Sequence, residues 1–414
     1  MDGDVSATEI LIIGAGPAGA IAAAQLVQAG HSVRVLEKQK FPRFSIGESL
    51  LAQSLELLDN AGMLEAILAA GFQFKNGAAF VRGAQRSEFN FADKTCPGYG
   101  YTFQVPRAQF DTLLADEAVR MGARIDYEVD VIAADFSGAT PVVRSRDRLG
   151  VEETHHPSFV LDASGFGRVL PRLLGLEKPS DFPARSALFT HIEDHIEAGA
   201  FDRQKIRISV HPHHPQIWYW LIPFSDGRSS LGVVAPREYL DALSGSTEER
   251  LWQLVAEETS LHQLLKSARP AARVGEIVGY AAAVARLHGP GFALLGNAAE
   301  FLDPVFSSGV TIAIKSAQLA AAAVDRQLRG ESVDWDAEFA KPLMLGVETF
   351  RGFVAGWYDG SLQDVIFHQQ QDPRVRRMIC GVLAGYAWDE ANPYVGLHSG
   401  RRLRALAAHC RDAA

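Results

Sequence analysis

A basic surface is the first thing this chain lacks: 40 lysines and arginines face 49 acids, a formal charge of −9. Neutralising nucleic-acid phosphates needs a net basic surface or at least a basic stripe, so a nucleic-acid partner is not expected. Cysteine is scarce as well. Cys96, Cys380 and Cys410 are far apart and odd in number, which fits isolated thiols in a reducing compartment better than a disulfide framework. No uncharged apolar run reaches the length of a membrane span. The acidic start Met1-Asp2-Gly3-Asp4 lacks the basic and apolar regions of a secretion signal, so the expectation is a cytoplasmic protein. Internal repeats and low-complexity tracts are missing too. Most informative is a further absence: only one Gly-rich strand–turn–helix signature occurs, so a second dinucleotide lobe for NAD(P)H is not expected.

What is present is an ordinary globular composition, 47% apolar and 21% charged. At 414 residues it exceeds what one core usually supports, so two lobes and a helical tail are expected. The strand Glu9 to Ile13 runs into Gly14-Ala15-Gly16-Pro17-Ala18-Gly19, then a buried helix to Ala29, then a strand ending at Glu37. Each glycine has a mechanical reason. Gly14 permits the turn, Gly16 lets backbone approach a pyrophosphate, and Gly19 lets the helix pack on the strand. Glu37 lies where a carboxylate binds ribose hydroxyls, so this unit predicts dinucleotide binding.

Further along, Phe41 to Arg107 reads as helices and loops, with an amphipathic run from Leu50 to Leu68. Phe110 to Val119 is helical in period; Arg124 to Val131 and Ser158 to Leu161 read as strands. Four β-rich runs, 188–192, 206–210, 217–222 and 230–234, predict an antiparallel sheet. Ser246-Thr247-Glu248-Glu249 is a capping-box pattern for a helix to about Lys266. From Asp334 onward the pattern is helical. His211-Pro212-His213-His214-Pro215 reads as a surface loop, because its prolines prevent helical ligand spacing, and no metal is expected. Arg374, Arg376, Arg377, Arg401, Arg402 and Arg404 read as a solvated face that could also dock an acidic carrier.

A second motif joins a strand at Phe292 to Leu295 to Gly296-Asn297 and a helix near Ser308. It resembles the second FAD motif of the aromatic-hydroxylase superfamily, with Asn297 where an acid is usual; Asn can still hydrogen-bond a ribityl hydroxyl. Trp218-Tyr219-Trp220-Leu221-Ile222-Pro223 carries the W-x-W-x-I-P signature of flavin-dependent halogenases. With Lys75 in Phe72-Gln73-Phe74-Lys75-Asn76-Gly77, the chain resembles the branch acting on phenols, pyrroles and carrier-tethered aromatics. The likeness runs from Ile10 to about Tyr358. Ile217 stands where the family has glycine, and Phe306 where tryptophan halogenases carry a glutamate.

The resemblance implies an α/β fold: a doubly wound FAD lobe, an antiparallel-sheet substrate lobe and a helical C-terminal extension. It divides the chain into FAD-lobe segments 1–80, 110–180 and 286–330, a substrate-lobe excursion at 81–109, the substrate lobe at 181–285, and a helical region at 331–414. Implied cofactor contacts are Gly14, Gly16, Ala18, Gly19, Glu37, Lys38, Gly47, Glu48, Ser49, Arg107, Val131, Asp162 and Gly165. Gly296, Asn297, Asp303, Ser308, Gly309 and Val310 complete them, with Ser308 and Gly309 also offering backbone N–H groups to a chloride or bromide ion. Trp218, Trp220, Ile222 and Pro223 would shield the flavin and line a tunnel. At its far end Lys75 would capture the hypohalous acid made from halide, oxygen and reduced FAD. The implied partners are a small aromatic substrate, free or carrier-tethered, and a separate flavin reductase. Two alternatives stay open: an FAD-dependent monooxygenase or dehydrogenase of the same fold, and a flavin-binding redox partner without turnover.

Overall fold

The computed structural model describes residues 9–412, so the acidic start Met1 to Asp4 lies outside the described residues. Five parallel strands form the centre of the first lobe, in the order Phe292–Leu294, Phe159–Asp162, Ile10–Ile13, Val33–Glu37, Arg124–Tyr127. A short antiparallel strand, His288–Gly289, closes one edge. The central runs Ile10–Ile13 and Phe159–Asp162 are buried along their whole length, as strands covered on both faces must be. Helix Pro17–Gln28 packs on helices Ser308–Leu328 and Arg107–Met121, its alanines giving neighbouring backbones close approach.

The second lobe is built on an eight-stranded sheet. Its middle runs Arg185–Glu193, Arg228–Pro236, Trp218–Pro223 and Lys205–Val210, each antiparallel to its neighbour. The sheet then continues into Gly77–Arg82, which pairs parallel with Lys205–Val210, and Gln85–Asn90. The span from Phe41 to Arg107 is therefore not only helices and loops: it holds these two strands and the Gln73–Lys75/Thr102–Gln104 ribbon. The local pattern hides them because Gly77-Ala78-Ala79 has little β preference and Gln85–Asn90 is a polar edge.

Alternation along the sheet decides what faces the first lobe. Phe189, Ile208, Trp218, Trp220 and Ile222 point into the large core shared with the first lobe. Leu188, Ile192, Tyr219, Leu221 and Val233 point the other way and pack under helix Thr247–Glu257. The capping box is formed, with Ser246 and Glu249 each bonding the other's backbone. That helix stops short of Lys266. Glu258 leaves helical geometry and caps a second helix, Thr259–Leu264, by accepting the Leu261 N–H. His211 also departs from a surface loop: it is 2% exposed and bonds Glu257, while His213 and His214 stay outside. The three cysteines are free thiols. Among the described residues no helix is long and apolar enough to cross a membrane.

Candidate active site

The first motif forms a cradle with room in one direction only. A Cβ on Gly14, whose φ is +94°, would meet the Ala163 carbonyl oxygen at 2.7 Å, and one on Gly19 would meet the Gly14 oxygen at 1.9 Å. A Cβ on Gly16 would touch nothing nearer than Arg43 Nη2 at 3.4 Å. The open side of Gly16 faces the start of helix Pro17–Gln28, where no side chain caps the free N–H groups and Ala18 is 5% exposed. A pyrophosphate fits that geometry, and Arg43 supplies a cation beside it. Glu37 accepts the N–H groups of Ala15 and Gln39, one on each carboxylate oxygen, at 2.8 Å. A carboxylate has about four acceptor sites, so two remain for ribose hydroxyls. Beyond Glu37, Lys38 pairs with Asp130 next to the buried Val131, beside a cavity of about 470 Å³ lined by Lys38, Arg43, Asp130 and Arg146.

Other candidates hold the cradle rather than face its opening. Asp162 is fully buried and accepts the N–H groups of Ser164 and Leu170, which folds the 163–170 loop around Gly165. Burial pushes its carboxyl up, and those bonds oppose the shift. Arg107 grips Asp111 through two bonds, of 2.7 and 2.9 Å, and reaches the Ile46 carbonyl beside Gly47. Arg43 also pairs with Asp111, at 3.2 Å. The sequence reading missed this Arg43–Asp111–Arg107 cluster, which ties the loop before Gly47 to helix Arg107–Met121.

At the second motif Gly296 adopts φ +52° and its N–H bonds Ser316. Asn297 Oδ1 lies near Gly309, at 3.8 Å from where a Cβ there would stand. Ser307 is left-handed at φ +56°, and helix Ser308–Leu328 starts with no side-chain cap. The N–H groups of Ser308, Gly309 and Val310 are therefore available to an anion or a polar cofactor edge. Asp303 is buried, and burial raises its carboxyl to about 6 against the pull of its hydrogen bonds.

From this loop a floor of side chains leads across the sheet. Trp218 lies at the Asp303 end, Trp220 pairs beside Ile208 and Gly232, and Ile222 lies at the far end with Pro223. Four residue steps along the strand separate Trp218 from Ile222, roughly 13 Å. The strand Gly77–Arg82 begins at that far end, opposite Lys205, with Lys75 two residues before it.

Lys75 is 1% exposed, and burial lowers its amine to about 7. It donates to Ser49 Oγ at 2.8 Å and to the Leu50 carbonyl at 2.7 Å. A neutral amine has two N–H bonds, and both are used. The lone pair is left over, so the environment presents a nucleophile with a fixed direction. The Phe91 ring lies 5.1 Å from Nζ and would favour the cation, but burial is the cause that sets the direction. Ser49 thus serves Lys75, while its neighbour Glu48, 2% exposed, bonds His191 at 2.8 Å across 143 residues. His191, Tyr280 and Tyr358 are further site neighbours that sequence reasoning did not find.

A family model described as an FAD binding domain matches residues 7–337. The tryptophan 2-halogenase of Chondromyces crocatus is 32% identical over 339 residues, covering 79% of this chain and 62% of that protein. The chain thus spans less than two thirds of that relative. The 1H-pyrrole-2-carbonyl-[peptidyl-carrier protein] chlorinase of Pseudomonas fluorescens is 27% identical over 428 residues, covering 96% of this chain and 91% of that one. Among solved structures, a flavoprotein/dehydrogenase from Cytophaga hutchinsonii is 45% identical with a TM-score of 0.95, covering 99% of this chain and 100% of that one. With the cradle at Gly16 and the uncapped helix start at Ser308, these matches give the conclusion that the chain belongs to the FAD binding domain family, and it is similar over most of its length to flavin-dependent halogenases.

Proposed function

We propose that the chain halogenates an electron-rich aromatic, phenolic, pyrrolic or carrier-tethered, with chloride or bromide, in the cytoplasm. The observation that carries this reading is the buried Lys75 amine, with both its N–H bonds engaged, at the far end of the Trp218–Trp220–Ile222 face. Reduced FAD, when bound, supplies with oxygen the oxidising equivalents that convert halide to hypohalous acid. Gly14, Gly16, Gly19 and Glu37 hold the cofactor's phosphates and ribose, aided by Arg43. Ser308 and Gly309 offer N–H groups to the halide. The apolar face excludes water along the route, and Lys75 receives the acid and presents halogen to the ring. Phe306 sits against Phe353 and Trp357, without a carboxylate, which argues against free tryptophan as substrate.

Carrier tethering is supported by the length match to the pyrrole-carrier chlorinase. Supplying one aryl acid free, as a small thioester and on a phosphopantetheinyl carrier separates the substrate classes. Turnover of the carrier form alone would establish tethering; equal turnover of all three would remove the carrier from the reading and leave a free aromatic as the substrate. A second reading is favoured by the name of the 45%-identical flavoprotein/dehydrogenase: two-electron oxidation or oxygenation of an aromatic or polyene substrate on the same fold. A hydroxylated or desaturated product without halogen would select it.

Two predictions follow from this reading of the site. Because the described residues form one nucleotide-binding lobe and no second one, the protein should be reduced slowly by NADH or NADPH alone and turn over when a flavin reductase is added. Stoichiometric bleaching of bound FAD by NADPH within seconds would contradict this.

The second concerns pH. Lys75 must be neutral to act as a nucleophile, and its amine titrates at about 7. Below that value the neutral fraction, and with it product formation, should fall about tenfold per pH unit, with a plateau above. The sign would reverse if the ammonium were the working form. Product formation measured from pH 5.5 to 8.5 with excess reduced FAD distinguishes the two.

A further inference from the structure

One buried hydrogen-bonded chain joins Asp303 and Trp218 through residues that have no role assigned so far, Tyr280 and Tyr358. Asp303 Oδ2 accepts the hydroxyls of Tyr280 at 2.9 Å and Tyr358 at 2.8 Å, while Oδ1 accepts the Val305 N–H at 3.0 Å. The Trp218 indole N–H donates to Tyr358 Oη at 2.9 Å. An indole can only donate and a carboxylate can only accept, so the Tyr358 hydroxyl must take the first bond and give the second. Its ring is fixed as well: the Arg185 guanidinium lies 3.4 Å above its centre, and Arg185 itself bonds the Gln216 carbonyl.

These groups come from different parts of the fold. Asp303 belongs to the loop before helix Ser308–Leu328, Trp218 begins the Trp218–Pro223 strand, Arg185 begins the Arg185–Glu193 strand on the other side of Arg228–Pro236, and Tyr358 ends helix Lys341–Tyr358. The Tyr358 hydroxyl bonds both the Asp303 loop and the first tryptophan of the apolar face. Trp218 is 1% exposed and packs against Trp220, and its one polar side-chain atom, the indole N–H, takes Tyr358 as its partner. The bond to Tyr358 adds a directional constraint to that packing.

We infer that Tyr358 is a positioning residue: its hydroxyl fixes the Trp218 ring against the Asp303 loop, and so closes to water the entrance of the route that ends at Lys75. This rests on the reading of the Trp218–Ile222 face as that route. When the entrance is loose, oxidising equivalents are lost from it: reduced FAD and oxygen then end as FAD and hydrogen peroxide, two electrons passing from one to the other, without aromatic product.

Tyr358→Phe removes one oxygen and keeps the ring under Arg185. With reduced FAD, oxygen, bromide and a phenol, reduced flavin should still be consumed, but the share ending in aromatic product should fall about tenfold and hydrogen peroxide should rise to match. Trp218→Phe should fall similarly, and the double variant no further than the worse single one, because both remove the same bond. A wild-type product share in Tyr358→Phe, or fully additive losses in the double variant, would overturn the inference. If the wild type gave an oxygenated product instead of a brominated one, the halogenation reading would fail while the product-to-peroxide ratio still tested Tyr358. A readout independent of the chemistry is the fluorine resonance of 5-fluorotryptophan at position 218, assigned by its loss in Trp218→Phe. It should shift or broaden in Tyr358→Phe; an unmoved sharp signal overturns the inference whatever the reaction.

Discussion

Lys75→Ala should bind FAD and consume reduced flavin as the wild type does, yet its halogenated product should fall by about three orders of magnitude, roughly 4 kcal/mol of lost transition-state stabilisation. The cofactor depends on the Gly14–Gly19 and Gly296–Val310 regions, and Lys75 lies beyond the tryptophan face from both. Its loss leaves Ser49 Oγ and the Leu50 carbonyl without a donor, so melting of the variant must be measured beside its activity. Lys75→Met, which keeps most of the volume, separates the two effects. It should melt near the wild type and be equally inactive. Lys75→Arg should not rescue turnover, because guanidinium stays charged and a planar fork does not fit two acceptors chosen by a tetrahedral amine. Under a monooxygenase or dehydrogenase reading the lysine is at most a positioning group, and Lys75→Ala would retain part of its oxidised product. Substantial halogenation by Lys75→Ala would falsify the role assigned to this amine, with the FAD fold untouched.

The second large effect separates cofactor binding from folding within one motif. A Cβ at Gly16 meets only the far end of Arg43, and the backbone there, φ −65° and ψ −174°, suits any residue. Gly16→Val should therefore fold, melt within a few degrees of the unliganded wild type, and bind no FAD, because the new side chain occupies the pyrophosphate's place. Gly19→Ala should do the reverse of a clean binding variant. Its methyl would overlap the Gly14 carbonyl, so expression or melting should suffer first. Normal flavin retention by Gly16→Val, measured by equilibrium dialysis, would remove the phosphate-cradle assignment.

Local grammar made the nucleotide unit legible: strand, three glycines, apolar helix and Glu37 all lie within 28 residues, from Ile10 to Glu37, and the structure places them as read. The capping box was legible for the same reason. Its helix end was not, since Glu258-Thr259-Ser260 carries capping chemistry inside an otherwise continuous helical pattern. Trp218–Pro223 showed no period of two because the sheet is buried on both faces, so Tyr219 and Leu221 are as apolar as Trp218 and Trp220. Which of them face the cofactor lobe needed the pairing with Lys205–Val210 and Arg228–Pro236.

Lys75 was legible only through its flanking residues and their family likeness. Its burial and its bonds to Ser49 and Leu50 depend on the ribbon with Thr102–Gln104, which no local signal announced. Glu48–His191, Tyr358–Asp303 and Trp218–Tyr358 join positions 143, 55 and 140 residues apart. One chain without an alignment offers no trace of such pairs.

Halogenation itself is tested most directly by mass spectrometry after incubating the wild type with a flavin reductase, FAD, NADH, oxygen, bromide and an activated phenol, pyrrole or carrier-bound aryl group. The account predicts a product heavier by one bromine for hydrogen, seen as the equal-intensity isotope doublet and absent with Lys75→Ala. A product carrying added oxygen or lacking two hydrogens, with no doublet from any of these substrates, would contradict it and assign the site to oxidation without halogen.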